Sequence, residues 1–442
     1  MATNKKILLA FYGDDFTGST DALEFICRAG AKAILFIEPP TAEQLNNYPS
    51  LDAYGVAGKT RSLSPVEMEK ILLPAFETMK ASGARHVHYK VCSTFDSTPL
   101  IGSIGKAIDC GFDVFDHVTV PVLGGMPALG RYCLFGNLFA KMGIGSEGEI
   151  FRLDRHPSMS HHPVTPANES DLCIHLSHQT GKEMKLVNIL ELESAKTIEK
   201  AVNKFLAGMG KPVILLDAVK ELDLLNAGEY LDEYLSLDSE QALFSVGSSA
   251  VELALGSYWN KIGLLKRTTT WQKIKKANPL LVVSGSCSPV TVAQMAHAKS
   301  NGFEEVILDA IKICDDEIID HSVIEKVNTL LQQQKNVIVH TGAKQTNNLS
   351  SEKLGTALGQ IAKAAAEKAL VKRIVIAGGD TSSYAARAME IDAVEMIAPL
   401  VSGAPLCKAI SKNNFINGVE VNFKGGQVGS EKYFEVLLNG SL

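Results

Sequence analysis

Short runs of Val, Ile and Leu recur along the chain at intervals long enough for a helix, and this alternation constrains the fold more than any other feature. In the first half the runs are Ile7–Phe11, Ala33–Ile37, Ala53–Ala57, His86–Val91, His117–Leu123 and Val213–Leu216. A second series follows at Leu280–Ser284, Val306–Leu308, Val337–His340 and Ile374–Ala377. Continuous apolar strands separated by helix-length segments belong to parallel sheets covered on both faces. Between the series, Lys261–Asn278 is basic, poor in strand signal and closed by Pro279. The sequence therefore predicts an α/β fold of two domains with mainly parallel sheets, spanning residues 1–265 and 275–442. A chain of 442 residues is also too long for one ordinary core.

Charge and cysteine usage narrow the function. A net charge of -6 gives no general attraction to nucleic acid or to an anionic membrane, so an anionic ligand must be held by local basic residues or backbone amides. No apolar run reaches the roughly 20 residues that span a bilayer, and Met1–Lys6 lacks an apolar signal core. A cytoplasmic protein is expected, with no nucleic-acid or membrane partner; a homo-oligomer is compatible with the chain. The eight cysteines contain no CxxC pair and read as reduced thiols. His156, His161 and His162 share a loop with Pro157 and Pro163, and no helix aligns them as metal ligands, so no protein-held metal is expected.

Strand ends carry the polar chemistry. Asp14 and Asp15 follow the first apolar run and precede Phe16–Thr17–Gly18–Ser19–Thr20, so two carboxylates sit where ligands of open α/β sheets bind. An isolated pair of this kind also serves simply to cap the next helix. Lys59–Thr60–Arg61 follows the run at Ala53, and Lys90 leads into the hydroxyl-rich Cys92–Ser93–Thr94–Phe95–Asp96–Ser97–Thr98. Arg131 comes after the glycine-rich loop Gly124–Gly130. Convergence of Arg61, Lys90 and Arg131 at one sheet edge would bind a carboxylate, with the hydroxyl side chains contacting a polyol.

The second half has the look of a phosphate holder. Ser284–Gly285–Ser286–Cys287–Ser288 follows a strand and precedes a helix start with Pro289 in its first turn. Gly378–Gly379–Asp380–Thr381–Ser382–Ser383 repeats the design, and Lys424–Gly425–Gly426–Gln427–Val428–Gly429 supplies a third small-residue loop. Glycine admits a phosphate close to the backbone, and a helix N-terminus offers free amides with partial positive charge. Three such loops imply a polyphosphate. Neither a GxxxxGK[ST] loop nor a GxGxxG fingerprint is present, so generic motifs leave the nucleotide open.

These motifs, in this order, resemble those of the four-carbon acid sugar kinases. The resemblance rests on DDxTG at Asp14–Gly18, Thr60–Arg61, Lys90 with CSTFDST, Thr165–Pro166, SGSCS at Ser284–Ser288, GGxTS at Gly378–Ser382, GxPL at Gly403–Leu406 and the closing Lys–x–Gly loop at Lys424–Gly426. It implies an N-terminal acid-sugar domain, a C-terminal ATP-binding domain and an active-site cleft between them. Carried over residue by residue, it puts Asp15 and Asp14 at the catalytic position. Arg61, Lys90 and Asp96 fall on the acid-sugar side, to which the reading of the strand-end loops adds Ser93 and Arg131 as candidates. Ser286, Gly378, Gly379, Asp380, Thr381 and Gly425 fall on the nucleotide side, with Ser284 and Gly403 of the neighbouring motifs as further candidates. The implied cofactors are ATP and Mg²⁺, and the implied reaction is phosphorylation of a hydroxyl of a short sugar acid such as 3-oxo-tetronate, threonate, erythronate or a branched oxo-isoapionate. GGDT replaces the GGET common in the family, KGGQVG replaces KSGNFG, and Pro121–Leu134 departs from the form associated with tetronate kinases. A nucleotide-gated binding protein without turnover would keep the glycine loops yet have no need of Asp14 and Asp15. A hydrolase with an Asp nucleophile would leave those loops superfluous.

Overall fold

The computed structural model describes residues 6–142, 148–162, 164–208, 210–235, 242–316, 320–342 and 349–441. Pro163, part of the proline-flanked segment His162–Pro166, lies outside the described residues. The chain forms two compact units that are not contiguous in sequence. The first takes Met1–Asp14, Phe25–Ala33 and Pro39–Thr268; the second takes Asp15–Glu24, Ile34–Glu38 and Thr269–Leu442.

In chain order the strands are β1 (Leu9–Gly13), β2 (Ala33–Phe36), β3 (Ala53–Ala57), β4 (His86–Lys90), β5 (Val120–Leu123), β6 (Arg131–Leu134), β7 (Asn137–Lys141), β8 (Ile150–Arg152) and β9 (Met184–Val187). They continue with β10 (Val213–Leu216), β11 (Leu243–Gly247), β12 (Leu280–Ser284), β13 (Glu304–Ile307), β14 (Val337–His340), β15 (Arg373–Ala377), β16 (Ala393–Val401), β17 (Ala404–Ile410) and β18 (Glu420–Lys424).

The first unit orders its strands β3-β1-β4-β11-β5-β10-β9, all parallel. Every residue of β1, β3 and β4 is buried, as expected of strands sandwiched between helices. Register places Gly13 beside Ala57 and beside Lys90, so the chain leaves all three strands at one level. Asp14, the Lys59–Arg61 turn and the segment after Lys90 therefore emerge together at the carboxyl ends, where such sheets bind ligands. A separate antiparallel sheet, β6-β7-β8, belongs to this unit too.

The second unit runs β13-β14-β12-β15-β18-β17-β16-β2, parallel through β18 and antiparallel thereafter. Ser284 pairs with Ala377 and Ala377 with Lys424, so the loops that begin at Gly285, Gly378 and Gly425 leave adjacent strands at one level. Below them lies a core that includes Leu280, Val282, Ile338, Val375, Tyr433 and Phe434. Each such side chain contributes roughly 1.5–3 kcal/mol by leaving water. Phe16 joins this unit through the ring of Phe423, centroid to centroid 4.2 Å.

Candidate functional site

In the first unit the geometry starts at Asp14. Its backbone N–H donates to Lys90 O at 2.8 Å, and its carbonyl accepts from Arg61 N at 3.0 Å, so β4 and the Thr60–Ser62 turn both hold it. Arg61 closes a bidentate fork on the carboxylate: Nε donates to Oδ2 at 3.0 Å and Nη2 to Oδ1 at 2.8 Å. Asp14 is only 3% exposed, so this is a largely desolvated pair of the strong, geometrically specific kind. Lys90 is buried as well, with Nζ donating to Val91 O at 2.8 Å. Along β4, period-two alternation sends His86, His88 and Lys90 to one face. His86 meets Asp232 at 2.8 Å and His88 meets Glu252 at 2.6 Å, both buried.

After Lys90 the chain turns sharply. Phe95 is buried with φ 54°, a left-handed conformation that costs energy for a bulky residue and recurs at functional turns. The turn is pinned by Ser97 Oγ donating to Phe95 O at 3.0 Å, and Ser97 Oγ also lies 2.9 Å from His175 Nε2. Thr94 Oγ1 donates to Asp96 Oδ1 at 2.7 Å. A small cavity opens here, lined by Thr94, Asp96, Ser97, Thr165, Glu169 and His175. Burial lowers the His175 pKa, and burial first, with Asp96 second, pushes the Cys92 thiol up to about 11, so that thiol is no nucleophile at neutral pH. Ser93 is half-buried in the same turn. Arg131 is placed elsewhere: it opens β6, and its Nη1 donates to Leu129 O at 2.7 Å and Lys141 O at 3.4 Å.

In the second unit Asp15 caps the helix Phe16–Arg28. Oδ1 accepts from Gly18 N at 2.7 Å and Oδ2 from the Thr17 hydroxyl at 2.8 Å. Capping and chemistry are compatible here, because Oδ2 also faces the glycine loop: a Cβ at Gly379 would stand 3.2 Å from it. Gly378 has φ +122°, open only to glycine, and its carbonyl accepts from both Ser382 N and Ser382 Oγ. Gly379 and Asp380 thus begin the helix Gly379–Ala388 with first-turn amides that have no intrahelical partner. Thr381 is buried against Gly285, where a Cβ would lie 2.3 Å from its Oγ1, so the β12 and β15 loops touch directly.

The remaining loops are tied in by hydroxyls. Ser284 Oγ accepts from Ser286 N at 3.3 Å; Ser286 Oγ donates to Thr291 Oγ1 at 3.2 Å; Ser288 Oγ and Thr291 Oγ1 donate to Gly426 O at 2.8 and 3.0 Å. Gly425 lies near Thr17, its missing Cβ 3.7 Å from Thr17 Oγ1. Gly403 is set apart from these loops, in the β16–β17 turn, with its N–H on Glu24 Oε2 at 2.9 Å. Two residues that patterns did not single out emerge, His175 and Glu252 in the first unit; in the second, Lys424 of the closing Lys–x–Gly motif has a fully buried side chain. Only Lys424 sat inside a visible motif; the other two owe their place to long-range packing. Among the described residues no group of three or more His, Cys, Asp or Glu is arranged to hold a metal ion, and no helix is long and apolar enough to cross a membrane.

Comparison with known proteins divides the chain contiguously, so its N-terminal part includes Asp15–Glu24 and Ile34–Glu38, which pack with the second unit. Residues 9–255 match the family model of a sugar-binding N-terminal domain and residues 281–434 that of a nucleotide-binding C-terminal domain. The 3-oxo-isoapionate kinase of Paraburkholderia graminis is 38% identical, covering 99% of this chain and 95% of its own. The 3-oxo-tetronate kinase of Cupriavidus necator is 25% identical, with 98% and 96% covered. Among solved structures, a protein of Salmonella typhimurium LT2 carrying a provisional tRNA-synthase label superposes with TM-score 0.75 at 25% identity, 98% of each chain covered. A sequence relative from that same strain, 26% identical over 95% of this chain, bears the name 3-oxo-tetronate kinase instead.

Proposed function

Because the chain belongs to the four-carbon acid sugar kinase family, we propose that it phosphorylates a hydroxyl of a short, branched sugar acid of the 3-oxo-isoapionate type. That it is an ATP-dependent sugar-acid kinase follows from its relatives and its nucleotide-binding domain. The observation that favours the branched acid is the identity gap, 38% to the isoapionate enzyme against 25% to the tetronate enzyme of Cupriavidus necator. The departure of Pro121–Leu134 from the tetronate-kinase form points the same way.

Phosphoryl transfer asks a protein for in-line positioning and charge neutralisation more than for covalent chemistry. Arg61 and Lys90 would hold the substrate carboxylate, Arg61 being already oriented by the Asp14 fork. Thr94, Asp96 and Ser93 would meet the polyol hydroxyls. Asp15 would accept the proton of the attacking hydroxyl while that oxygen bonds to the γ-phosphorus and ADP departs. Its Oδ2, next to Gly379, lies on the loop that would carry the phosphates. Amides of Gly379, Asp380 and Thr381, with Ser286 and Gly425, would cradle them. Mg²⁺ fits this donor set, since it needs only one or two carboxylates beside phosphate oxygens and water, and Asp380 would be such a carboxylate. The ion would compensate charge on the transferring group.

The test is ADP release with ATP and a panel of 3-oxo-isoapionate, 3-oxo-tetronate, threonate and erythronate. The proposal expects the highest kcat/KM with the branched acid. Faster turnover of 3-oxo-tetronate would overturn the branched assignment, and ADP release with none of the acids would overturn the kinase reading.

A further inference from the structure

Lys424 closes β18 with a side chain that has no exposure to solvent. Its Nζ donates to Thr291 Oγ1 at 2.9 Å, Gly425 O at 2.9 Å and Gly426 O at 3.3 Å, and it lies 5.5 Å from the centroid of the Tyr433 ring. Three acceptors match the three N–H bonds of an ammonium, whereas a neutral amine has only two. No carboxylate stands within ion-pair reach of this nitrogen among the described residues. From the helix Pro289–Ser300 it is faced by the uncharged hydroxyl of Thr291, which also accepts from the Ser286 hydroxyl and donates to Gly426 O. From the helix Tyr433–Asn439 it is faced by Tyr433, a neutral phenol that burial holds well above its ordinary pKa. Glu24, itself buried, acts on that tyrosine and raises its pKa further. A buried charge without a counter-ion is costly, and the missing counter-ion is then a ligand.

We infer that Lys424 is a positioning residue whose ammonium awaits the polyphosphate of the nucleotide, so that nucleotide binding draws one proton from solvent onto its Nζ. The inference rests on the nucleotide reading given above and adds to it a residue and a proton linkage. Burial pulls the Lys424 pKa down to about 7 in the ligand-free protein, which leaves the amine largely neutral at pH 8. A neutral amine must release one acceptor, and Gly426 O, at 3.3 Å, is the longest of the three contacts. The Gly425–Gly426 backbone is then less firmly held. A polyanion on the loops favours the charged form, restores the third bond and fixes the loop.

The experiment is titration calorimetry of the whole protein with Mg²⁺ and ADP at pH 8, in buffers of different ionisation enthalpy. At that pH the ADP phosphates are already ionised, and any residual ligand protonation is common to wild type and variants. The wild type should take up close to one proton per ADP, and its ADP affinity should fall on the order of tenfold per pH unit above pH 7. Lys424→Arg keeps a permanent charge and should bind ADP with no uptake and little pH dependence. Lys424→Met should bind at least tenfold more weakly, again without uptake. ADP binding by the wild type without proton uptake would overturn the inference and leave the nucleotide site standing, as would unchanged uptake in Lys424→Arg. No ADP binding by the wild type would overturn the nucleotide reading itself. Should Lys424→Met fail to fold, the wild type and Lys424→Arg decide alone.

Discussion

At the scale of single residues, Asp14 and Asp15 are neighbours with different employers. Asp14 is locked by the Arg61 fork in the first unit, whereas Asp15 caps a helix and faces Gly379 in the second. Asn is as good an N-cap as Asp, so Asp15→Asn should keep the Gly18 bond and the fold. It removes the proton acceptor, and kcat should drop roughly 10²-fold or more while ADP affinity holds. Steady-state kinetics with calorimetry check this, with Asp14→Asn beside it; near wild-type kcat in both would move the base elsewhere, Asp96 first. Arg61→Met acts differently. It deletes a charge-assisted contact to the substrate carboxylate and removes the bidentate fork on buried Asp14. We expect kcat/KM for the acid to fall by about 1.5–3 kcal/mol, roughly 10- to 150-fold, together with a lower Tm. Lys90→Met should show a loss of similar size for the acid, and neither variant should weaken ADP. An unchanged KM for the acid would remove both from the site.

At the scale of elements, the loops after β12, β15 and β18 do similar work by different contacts, and this separates two glycine variants. A side chain at Gly425 would press on Val428 at 3.3 Å, within its own loop. Gly425→Val should therefore raise the KM for ATP with little change in kcat. At Gly379 the first atom met is Asp15 Oδ2 at 3.2 Å, so Gly379→Val should raise the KM for ATP and also lower kcat by displacing the base. Equal effects from both variants would argue against a catalytic role for Asp15. Of the strands that feed these loops, β12 has the limits its apolar run suggests, as do Val337–His340 and Val213–Leu216 elsewhere in the chain, because parallel strands covered on both faces are mostly continuous apolar runs. The antiparallel strands were not legible in this way. β6 and β7 mix half-buried, buried and exposed residues in short stretches next to glycines, and β16 to β18 follow one another with no helix between to mark them off. Arg131, read as the end of a loop, is for this reason the start of a strand. Motifs likewise pointed to the loops but not to what holds them, since the burial of Lys424 and the His175–Ser97 contact depend on residues 133 and 78 positions apart in sequence.

On the scale of the whole molecule, the second unit borrows from the start of the chain. Phe16 packs its ring tilted against that of Phe423, Glu24 accepts from Gly403 N, β2 pairs with β16 through Leu35 and Phe36, and Asp15 sits at Gly379. A run of strands and helices beginning at Leu280 looks self-sufficient in sequence, yet a fragment starting at Asn278 would lack every one of these partners. It would bare Phe423, leave the β16 edge unpaired and lose the buried Phe16, a loss of roughly 3–5 kcal/mol from that side chain alone if Phe→Ala substitutions are a guide. Such a deficit is a large part of a domain's net stability. The fragment 278–442 should therefore melt over a broad range, and its ADP affinity should fall at least tenfold below that of the full chain. Supplying residues 15–38 through a flexible linker ahead of 269–442 should restore a sharp transition and most of the affinity, because it returns the capping carboxylate, the Phe16 contact and the edge strand together. Calorimetric melting and ADP titration of the two proteins measure this directly. If the bare fragment melts as sharply and binds ADP as tightly as the tethered one, the N-terminal segment is dispensable to the nucleotide unit, and Asp15 would then act as a substrate-side group rather than as part of the phosphate-binding framework.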